Sequence, residues 1–597
     1  MAGYIGNKAV NLSTSGADIS GTANLDIIDV DGAANFAADV TFADGADIIT
    51  ASAGTSNFRA GVNAGNSIAS GGNYNVVVGD EAGTAITTGD TNVAVGYQSL
   101  AANTTASNNT AVGYQALYDN TTGDDMVAMG YQALANNTTG QDNVGIGLQA
   151  LTINTTGNYN VAMGLQALRS NTTASNNVAV GYQAAYTNTT GTENQAFGHT
   201  SLYSNTTGNY NNAFGRGALY NNTTGSNNVA LGTQALVLNT TASNNTAVGY
   251  RAGYSNTTGT EMTAVGIEAL YSNTTGNTNS ALGRRSLYNN TTGVNNSAFG
   301  ARTMNNSTTG SYNVAVGMDS LYSNTTASSN TAVGYQAGYS NTTGSRNTCL
   351  GLESGYSLTT GGRNTLVGNQ AGKGITTGTQ NTFLGGTNGS TGSVGEFITT
   401  GSKNTIIGSF DGNQDGLDIR TASNNIVLSD GDGNIGLRID GSTHFAYFGD
   451  AADTASGAAT LNVAPNPSNN FFAQFWNTAG SAVGSISVSG GGSATSYTTS
   501  SDYRLKENVN YTWDATTRLK QLKPARFNFI ADADTIVDGF LAHEAQAVVP
   551  ESVVGTHNEV DNNGAAVMQG IDQSKLVPLL VKTILELEAR ITALEGN

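Results

Sequence analysis

The strongest constraint on what this chain can fold into is a repeat of 17 residues that recurs without a slip. The motif Asn-x-Ala-Val-Gly closes on a glycine first at Gly79 and last at Gly385, which is 18 intervals of 17 residues. A period this strict predicts that each unit stacks on its two neighbours in one dimension. The repeated units occupy residues 71–390.

The repeat favours short strands and turns over helices. Each unit reads close to Asn-Val-Ala-Val-Gly-Tyr-Gln-Ala-Leu-Tyr-Ser-Asn-Thr-Thr-Gly-x-Asn, which contains no stretch of good helix formers. The first of 5 prolines is Pro465, so the preceding backbone keeps every N–H available for a sheet ladder. We therefore expect a mainly β protein, an elongated β-solenoid or β-roll of about nineteen 17-residue repeats, with a shaft about 90 Å long at roughly 4.8 Å per coil.

Both faces of these strands need cover. The residue before each repeat glycine is always apolar, and the residue before that is usually alanine. Because adjacent strand residues point to opposite faces, one face can line the solenoid interior while the other needs a second surface. Identical chains around an axis are the simplest source of that surface, and a trimeric fibre would supply it.

The Ala-Val-Gly strands resemble the head repeats of trimeric bacterial adhesins. In that family, Ala-Ile-Gly or Ala-Val-Gly strands form left-handed β-rolls in trimers. The resemblance covers roughly residues 71–390, although the period here differs, and it implies a trimeric β-roll for the shaft.

Several residues of the repeat invite a functional interpretation, but packing explains them better. Asparagine stands four residues before the repeat glycine in 17 of 19 units, with Met126 and Met262 as exceptions, which predicts an asparagine ladder. Cys349 takes a slot that is normally alanine, so we expect a buried residue and not a nucleophile. Tyrosines recur after the glycine, as at Tyr97, and four places further on, as at Tyr118. Packing is favoured for them over stacking on the sugar rings of a surface polysaccharide.

Composition excludes several classes of function. A net charge of −19 with only 23 Lys and Arg opposes nucleic-acid binding. No apolar run approaches the ~18 residues of a membrane span, and the first residues lack the regions of a signal peptide. We therefore expect no membrane insertion and no export by the general secretory route. With Cys349 as the single cysteine, no intrachain disulfide is expected.

Less regular sequence flanks the repeat. Residues 1–70 predict an N-terminal β region that attaches the chain to another protein, and residues 391–500 predict an irregular β tip or neck. Two Asp-rich segments, which start at Asp411 and Asp430, match the first half of a calcium loop. Ala422 stands where the first of them would need a bidentate glutamate, so hairpin turns are the better interpretation and neither metal nor cofactor is predicted.

The last 97 residues, 501–597, form a separate domain. They hold 9 of the 23 Lys and Arg and three of the five prolines. Their motifs, in order, are Ser500-Ser501-Asp502-Tyr503-Arg504-Leu505-Lys506, Leu522-Lys-Pro524-Ala-Arg526-Phe527, Gly539-Phe540-Leu541-Ala542-His543-Glu544 and Leu576-Val-Pro578. This ordered set resembles the C-terminal intramolecular chaperone domain of phage tail fibres and tailspikes, the peptidase S74 family. His543 departs from that family's pattern, which often has glutamine there.

The resemblance implies a small α+β domain that guides trimerisation and then cleaves itself off at Ser501, with the break at the Ser501–Asp502 junction. Ser501 would be the nucleophile and Lys506 its base, since a lysine in its neutral form can take a proton from serine. Asp502 completes the predicted catalytic set. Attack of a serine on its own carbonyl would need a four-membered ring. Attack on the preceding peptide bond or on a neighbouring chain therefore remains an alternative.

The C-terminal segment predicts a coiled-coil helix, because apolar residues alternate at spacings of three and four: Val577, Leu580, Ile584, Leu587, Ile591 and Leu594. Ile and Leu at alternating seam positions by themselves favour a dimer. The expected trimer therefore rests on the family resemblance and on the two-faced strands.

Together these features predict a homotrimeric phage tail fibre, made in the host cytoplasm and located in the virion. Its expected partners are a tail or baseplate protein at the N-terminal end and a host glycan or protein receptor. Self-cleavage is the one enzymatic activity expected. The alternatives are a tailspike that degrades polysaccharide with acidic residues of 391–500, and a bacterial trimeric adhesin, which the missing signal peptide and membrane anchor disfavour.

Overall fold

The structure is a computed structural model that describes residues 53–386, 392–414, 416–442, 446–448, 471–476, 482–489, 494–499, 506–530, 532–560 and 566–596. The chain divides into two compact units, Met1–Thr460 and Leu461–Asn597. Among the described residues, no helix combines the length and the apolar character needed to cross a membrane.

The first unit is a β-solenoid in which each coil contributes one strand of three residues to a parallel ladder. Equivalent residues of successive coils are register partners, so that Ala94 pairs with Ala111 and Ala111 with Ala128. This confirms the predicted fold class. In chain order, strands β1 to β21 are Phe58–Ala60, Val76–Val78, Val93–Val95, Thr110–Val112, Val127–Met129, Val144–Ile146, Val161–Met163, Val178–Val180, Gln195–Phe197, Asn212–Phe214, Val229–Leu231, Thr246–Val248, Thr263–Val265, Ser280–Leu282, Ser297–Phe299, Val314–Val316, Thr331–Val333, Thr348–Leu350, Thr365–Val367, Thr382–Leu384 and Thr405–Ile407.

The solenoid extends beyond the strict repeat at both ends. β1 precedes β2 by 18 residues, β21 follows β20 by 23, and a further parallel strand, β24 (Ile426–Ser429), follows β21 by 21. Inserted residues lengthen the loops of these coils and leave the strands in register, because loops tolerate insertions that a ladder does not. The regions expected at 1–70 and 391–500 therefore each contain solenoid coils.

The ladder ends in antiparallel strands. β22 (Asn413–Gln414) pairs with β23 (Leu417–Asp418), and β24 continues into β25 (Ile435–Ile439) and β26 (Ala446–Phe448). Asp430 closes the turn between β24 and β25, because its carboxylate accepts the N–H groups of Asp432 and Asn434, each at 2.9 Å. Both Asp-rich segments thus form hairpin turns, as the sequence predicted.

The interior of each coil is filled by the central strand residue and by a side chain that packs against it. The central residue is usually alanine and is buried, and Leu134 covers Gly145 so closely that a Cβ there would lie 3.1 Å from its Cγ. Where the central residue is large, its partner is small. Phe383 stands in the alanine slot of β20, and Gly395 takes the leucine position, where any Cβ would collide with the phenyl ring. The coil therefore conserves its interior volume.

The repeat glycines are required by the approach of successive coils. Gly232 has a φ of 138°, and a Cβ on it would lie 2.5 Å from the carbonyl oxygen of Gly249 in the next coil. Only glycine satisfies both the backbone conformation and the space. The same approach recurs from coil to coil, which explains why the glycine column is unbroken.

The predicted asparagine ladder is confirmed. Asn228 is fully buried, and its Oδ1 accepts the N–H of Asn245 at 3.1 Å. Its Nδ2 donates to Oδ1 of Asn211 at 3.1 Å and to the carbonyl of Ala242 at 2.9 Å. Each amide is thereby satisfied by the coils on either side, which is what permits burial of a polar column.

A second asparagine ladder runs through the Asn-Thr-Thr triplets. Asn222 is fully buried and donates from Nδ2 to Oδ1 of Asn205 and to the carbonyl of Gly225, each at 2.9 Å. The hydroxyl of Thr223 donates to the carbonyl of Thr240 in the next coil at 3.0 Å. This second ladder was not predicted from the sequence, although the strict period of the triplets was the available signal.

Two further expectations about the repeat are met. Cys349 is buried in the alanine slot, and burial raises the pKa of its thiol to about 12. The tyrosines pack in columns, with ring centroids 5.1 Å apart for Tyr186 and Tyr203 and 5.0 Å apart for Tyr203 and Tyr220. Packing between coils therefore accounts for these rings.

The second unit begins with an antiparallel sheet and ends in an α+β region. The sheet consists of β27 (Phe471–Trp476), β28 (Ala482–Ser489) and β29 (Ala494–Thr499). The remaining elements in chain order are α1 (Ala515–Leu519), β30 (Ala525–Phe529), β31 (Asp532–Gly539), α2 (Ala542–Val548), a 3-10 turn (Pro550–Ser552), β32 (Val553–Val554), β33 (Gly570–Ile571), a 3-10 turn (Gln573–Leu576) and α3 (Val577–Glu595). The predicted final helix is α3.

The first ladder predicts how substitutions at Asn228 rank. Asn228→Met copies the residue that stands naturally at this ladder position in Met126. The backbone N–H of Met126 still donates to Oδ1 of Asn109 at 3.1 Å. The expected loss of stability in Asn228→Met is about 1–3 kcal/mol, because the N–H of the next coil loses its acceptor. Asn228→Asp is expected to destabilise more at pH 7, because an acceptor-only carboxylate then faces the oxygens of Asn211 and Ala242.

The two variants also differ in their pH dependence. Burial raises the pKa of the carboxyl introduced by Asn228→Asp above its unfolded value, so its penalty is present at neutral pH and relieved below about pH 4. Thermal unfolding by circular dichroism at both pH values, relative to wild type, checks this. Asn227→Asp, on the exposed neighbour, is the control. Equal melting temperatures for Asn228→Met and Asn228→Asp at pH 7 would contradict the ladder.

Candidate functional site: an apolar sheet face and the C-terminal domain

The outer face of the solenoid sheet carries a continuous column of apolar side chains. We call this column the outer apolar row and define it as the third residue of each parallel strand from β2 onward. Its members are Val78, Val95, Val112, Met129, Ile146, Met163, Val180, Phe197, Phe214, Leu231, Val248, Val265, Leu282, Phe299, Val316, Val333, Leu350, Val367, Leu384, Ile407 and Leu428. Neither a charged nor a polar residue interrupts it.

The row points away from the solenoid interior. The central residue of each strand is buried, and its neighbours in the strand face the opposite way. Leu231, Leu282 and Leu384 are 49%, 47% and 49% exposed. A parallel sheet normally has both of its faces covered. Among the described residues, this chain covers only the inner face.

A second column widens the apolar face, because the residue after each repeat glycine is often large and exposed. Tyr97, Tyr114 and Tyr131 follow one another in this column with ring centroids 5.4 and 5.1 Å apart, and they are between 42% and 46% exposed. Each ring is packed within the column and still presents an edge to the outside. Such partly exposed tyrosines are typical of interface residues.

The C-terminal domain is organised around a small core. Ala515 of α1, Val549 at the end of α2, and Leu576 and Leu579 at the start of α3 are buried against one another, and Trp513 packs on them from the side. These residues bring three helices together. Because the core is small, the polar contacts around it contribute a larger share of its stability.

One such contact joins α3 to the beginning of α1. Oε1 of Glu586 accepts the N–H of Ala515 at 2.9 Å, and Oε2 accepts the N–H and the hydroxyl of Thr516 at 2.8 and 2.7 Å. The backbone hydrogen bond from Ala515, followed by the bonds from Thr516, lowers the pKa of the Glu586 carboxyl. The first N–H groups of a helix have no acceptor within it, so α3 supplies the one that α1 needs.

Arg518 ties the same helix to the far end of α2. Its Nε donates to the carbonyl of Val548 at 2.9 Å, and its guanidinium donates to both carboxylate oxygens of Glu551 at 2.9 and 3.0 Å. A two-point contact of this kind fixes orientation as well as distance. Helix α1 is therefore held at both ends by residues distant in sequence.

The coiled-coil seam of α3 is open along its length. The six predicted seam residues are between 43% and 78% exposed: Val577, Leu580, Ile584, Leu587, Ile591 and Leu594. An apolar cavity of about 260 Å³ opens beside them, lined by Leu519, Leu522, Pro524, Phe540, Leu576 and Leu580. Because Leu580 belongs to both, the seam and the cavity form one apolar surface.

The predicted catalytic residues are described only in part. Ser501 and Asp502 lie outside the described residues. Lys506 is exposed and lies before α1, in a segment without regular secondary structure. The pairing of Ser501 with Lys506 stays a prediction.

The described elements thus define a β-solenoid protein with a small C-terminal α+β domain. Residues 501–554 match the family model of the peptidase S74 domain, described as the chaperone of endosialidase. The resemblance inferred from the motifs is confirmed, and the match begins at Ser501, where they place the start of the domain. Comparison with curated proteins and with solved structures finds no match. A solenoid shaft with this chaperone is consistent with a tail fibre or a tailspike.

The contact of Glu586 with α1 predicts a pH-dependent stability of the C-terminal domain. Because its pKa is lowered in the folded state, its contribution is present above the unfolded pKa of about 4.3 and is lost as the pH falls through the folded value. Glu586→Gln is therefore expected to lower the melting temperature at pH 7 and to change it little at pH 3. The fluorescence of Trp513, in a Trp476→Phe background, reports this unfolding.

Glu588→Gln is the matched control, because Glu588 is exposed on the same helix. It removes the same charge without touching α1 and is expected to melt like wild type at both pH values. A melting temperature of Glu586→Gln equal to that of Glu588→Gln at pH 7 would show that the contact contributes nothing.

Proposed function

We propose that this chain is a homotrimeric phage tail fibre whose C-terminal domain assembles the trimer and then removes itself. The observation that carries the proposal is the outer apolar row, which follows the shaft and belongs to a chain with a chaperone domain. A partner for this row must present apolar side chains at the same axial spacing. A second copy of the chain has that spacing by construction.

The size of the apolar face supports a stable assembly. The outer apolar row has 21 members, so burial of about 40 Å² at each would reach the area of a standard interface. A standard stable interface buries roughly 800 Å² per partner. The exposed seam of α3 supports the same conclusion, because a helix with an apolar heptad seam is stabilised by packing against its counterparts.

Self-cleavage follows from the predicted pair of Ser501 and Lys506. The neutral amine of Lys506 takes the hydroxyl proton of Ser501, whose oxygen attacks a backbone carbonyl carbon of the preceding residue or of a neighbouring chain. The C–N bond of that peptide breaks, the proton passes to the leaving amine, and an ester forms. Water then hydrolyses the ester to a carboxylic acid and restores the serine hydroxyl.

The remaining parts of the proposal concern placement. The fibre is made in the host cytoplasm and incorporated in the virion, with the N-terminal end on a tail or baseplate protein. The exposed surface of the shaft and tip then meets a host glycan or protein receptor. The net charge of −19 supports a carbohydrate or protein partner over a nucleic acid.

Two of the carboxylates described between residues 392 and 442, those of Asp418 and Asp430, have structural roles and do not suit polysaccharide cleavage. Asp418 is paired with Arg420 through two hydrogen bonds, at 3.0 and 2.7 Å, and this contact lowers the pKa of Asp418 to about 2. Asp430 holds a hairpin turn. A glycosidase needs one carboxyl group with a raised pKa to act as the acid, and these two carry lowered ones.

Mass spectrometry of the expressed chain tests self-cleavage. The wild type is expected to give fragments of about 500 and about 97 residues, whereas Ser501→Ala and Lys506→Ala remain full length. Lys520→Ala, an exposed lysine of the same domain, is the control and is expected to be cut normally. Cleavage of Ser501→Ala at the same place would refute the assignment of the nucleophile.

Light scattering of the purified shaft tests the apolar row. The wild type is expected to have the mass of three chains. Leu231→Lys with Val248→Lys adds two charges to the row and is expected to abolish that species, because buried unpaired charges are costly. Thr224→Lys with Thr241→Lys adds the same charges at exposed turn positions and is expected to leave the trimer intact. A trimer in both variants would exclude the row as the interface.

A further inference from the structure

A polar groove with two arginines lies on the surface of the solenoid's later coils. Its volume is about 460 Å³, and its lining includes Arg346, Arg363, the hydroxyl residues Ser345 and Thr360, and Gln380. Its described lining includes no carboxylate. In a chain of net charge −19, a cavity with two cations and no acid is a departure from the general surface.

The backbone fixes the two arginines in parallel. Arg346 and Arg363 occupy the same position in successive coils, about 4.8 Å apart along the axis. Their φ angles are 62° and 61°, and their N–H groups donate to the carbonyls of Ser328 and Ser345 at 3.1 and 2.9 Å. Among the described residues, neither guanidinium forms an ion pair. Two exposed arginines therefore start from adjacent backbone positions, without an acid paired to either among the described residues.

The absence of a side chain at Gly362 leaves the backbone N–H of Ser345 as a third hydrogen-bond donor beside the two arginines. In the coil before Gly362, Oγ of Ser345 accepts the N–H of Ser328 at 3.1 Å. Two coils after Gly362, Oγ of Ser402 accepts the N–H of Thr379 at 2.9 Å. Gly362 has no hydroxyl to offer, so within the described residues the N–H of Ser345 has no acceptor. A Cβ built on Gly362 would lie 3.5 Å from that nitrogen and 2.8 Å from the carbonyl oxygen of Ser345. That N–H is therefore available to an acceptor atom of a bound ligand that lies away from the carbonyl oxygen of Ser345.

Arg346 and Arg363 belong to a surface row formed by the equivalent residue of each coil. Its charged members are acidic in the earlier coils and basic in the later ones. Tyr312, which is 62% exposed, precedes Arg346 by two coils in this row. A tyrosine face stacks on sugar rings, and paired guanidinium groups bind carboxylates. The charged members of the row, in chain order, are Asp125, Asp142, Glu193 and Glu261, followed by Arg346, Arg363 and Lys403.

We propose that this groove binds an acidic glycan. A sugar carboxylate lies between Arg346 and Arg363 and accepts the N–H of Ser345, while the hydroxyl and amide side chains of the lining bind sugar hydroxyls. Neighbouring sugars extend along the row towards Tyr312 and Lys403. The net charge of −19 opposes binding of a long polyanion such as DNA, which favours a glycan with widely spaced charges. The proposal rests on the receptor-binding part of the proposed function and names its ligand class.

Titration calorimetry on the full chain tests this proposal with four probes: tetragalacturonate, which has one carboxylate per sugar, neutral maltotetraose, a ten-nucleotide thymidine oligomer and inorganic sulfate. Tetragalacturonate is expected to bind the wild type and maltotetraose is not. Arg346→Gln with Arg363→Gln should weaken binding by about tenfold or more. Arg169→Gln with Arg251→Gln removes the same charge many coils away and should leave the affinity unchanged.

A second variant changes the hydrogen bonding of the groove and leaves its charge unchanged. Gly362→Ser supplies the hydroxyl found in neighbouring coils and keeps both arginines, at the cost of a small backbone shift, because its Cβ would lie 2.8 Å from the carbonyl oxygen of Ser345. It is expected to weaken tetragalacturonate binding by returning an acceptor to the N–H of Ser345. Equal affinity for the thymidine oligomer, binding of sulfate alone, or no binding by wild type would each overturn the glycan assignment. The mass and cleavage products of the same preparations report separately on the proposed function.

Discussion

The structure depends on one constraint: residues 17 apart in sequence are axial neighbours, so every side chain of the shaft meets a near-copy of itself. Only groups that pair with their own kind tolerate this. Amides do so, as in the column where Gln115 donates to Gln98 at 2.9 Å and Gln132 to Gln115 at 3.1 Å. Like charges do not, which accounts for a content of charged residues of only 11%.

Some of the charges that the shaft does contain are paired along the axis. Further along the glutamine column, Arg285 pairs with Glu268 at 2.7 Å, and Arg302 pairs with Asp319 at 2.7 Å. Each of these two cations thus faces an acid one coil away. Arg346 and Arg363 at the groove depart from this pairing, as Asp125 and Asp142 do in the same row, because equal charges occupy successive coils. At the groove, an anionic ligand would relieve the repulsion between the two arginines.

The repeat made much of the fold predictable, because its period reveals which residues are neighbours. The burial of the alanine slot, the first asparagine ladder and the place of Cys349 all followed from position within the unit. Contacts without a period did not follow. Glu586 and Thr516 are 70 residues apart and carry no shared pattern, so their contact was found only in the structure. The coils of 18, 21 and 23 residues were not predicted for the same reason, since a period marks only units of constant length.

The periodicity that builds the shaft also creates a difficulty for assembly in the proposed trimer. Sliding one chain by a single coil brings the outer apolar row back onto nearly identical contacts, so the row alone specifies register weakly. A unique register needs an element that does not repeat, and the C-terminal domain has one: its exposed seam is a short helix whose apolar surface continues into a cavity at Leu580. Once the chains are aligned there, contacts add up coil by coil along the row. Sliding then requires all of them to break together, so the aligned shaft no longer needs the domain that set it.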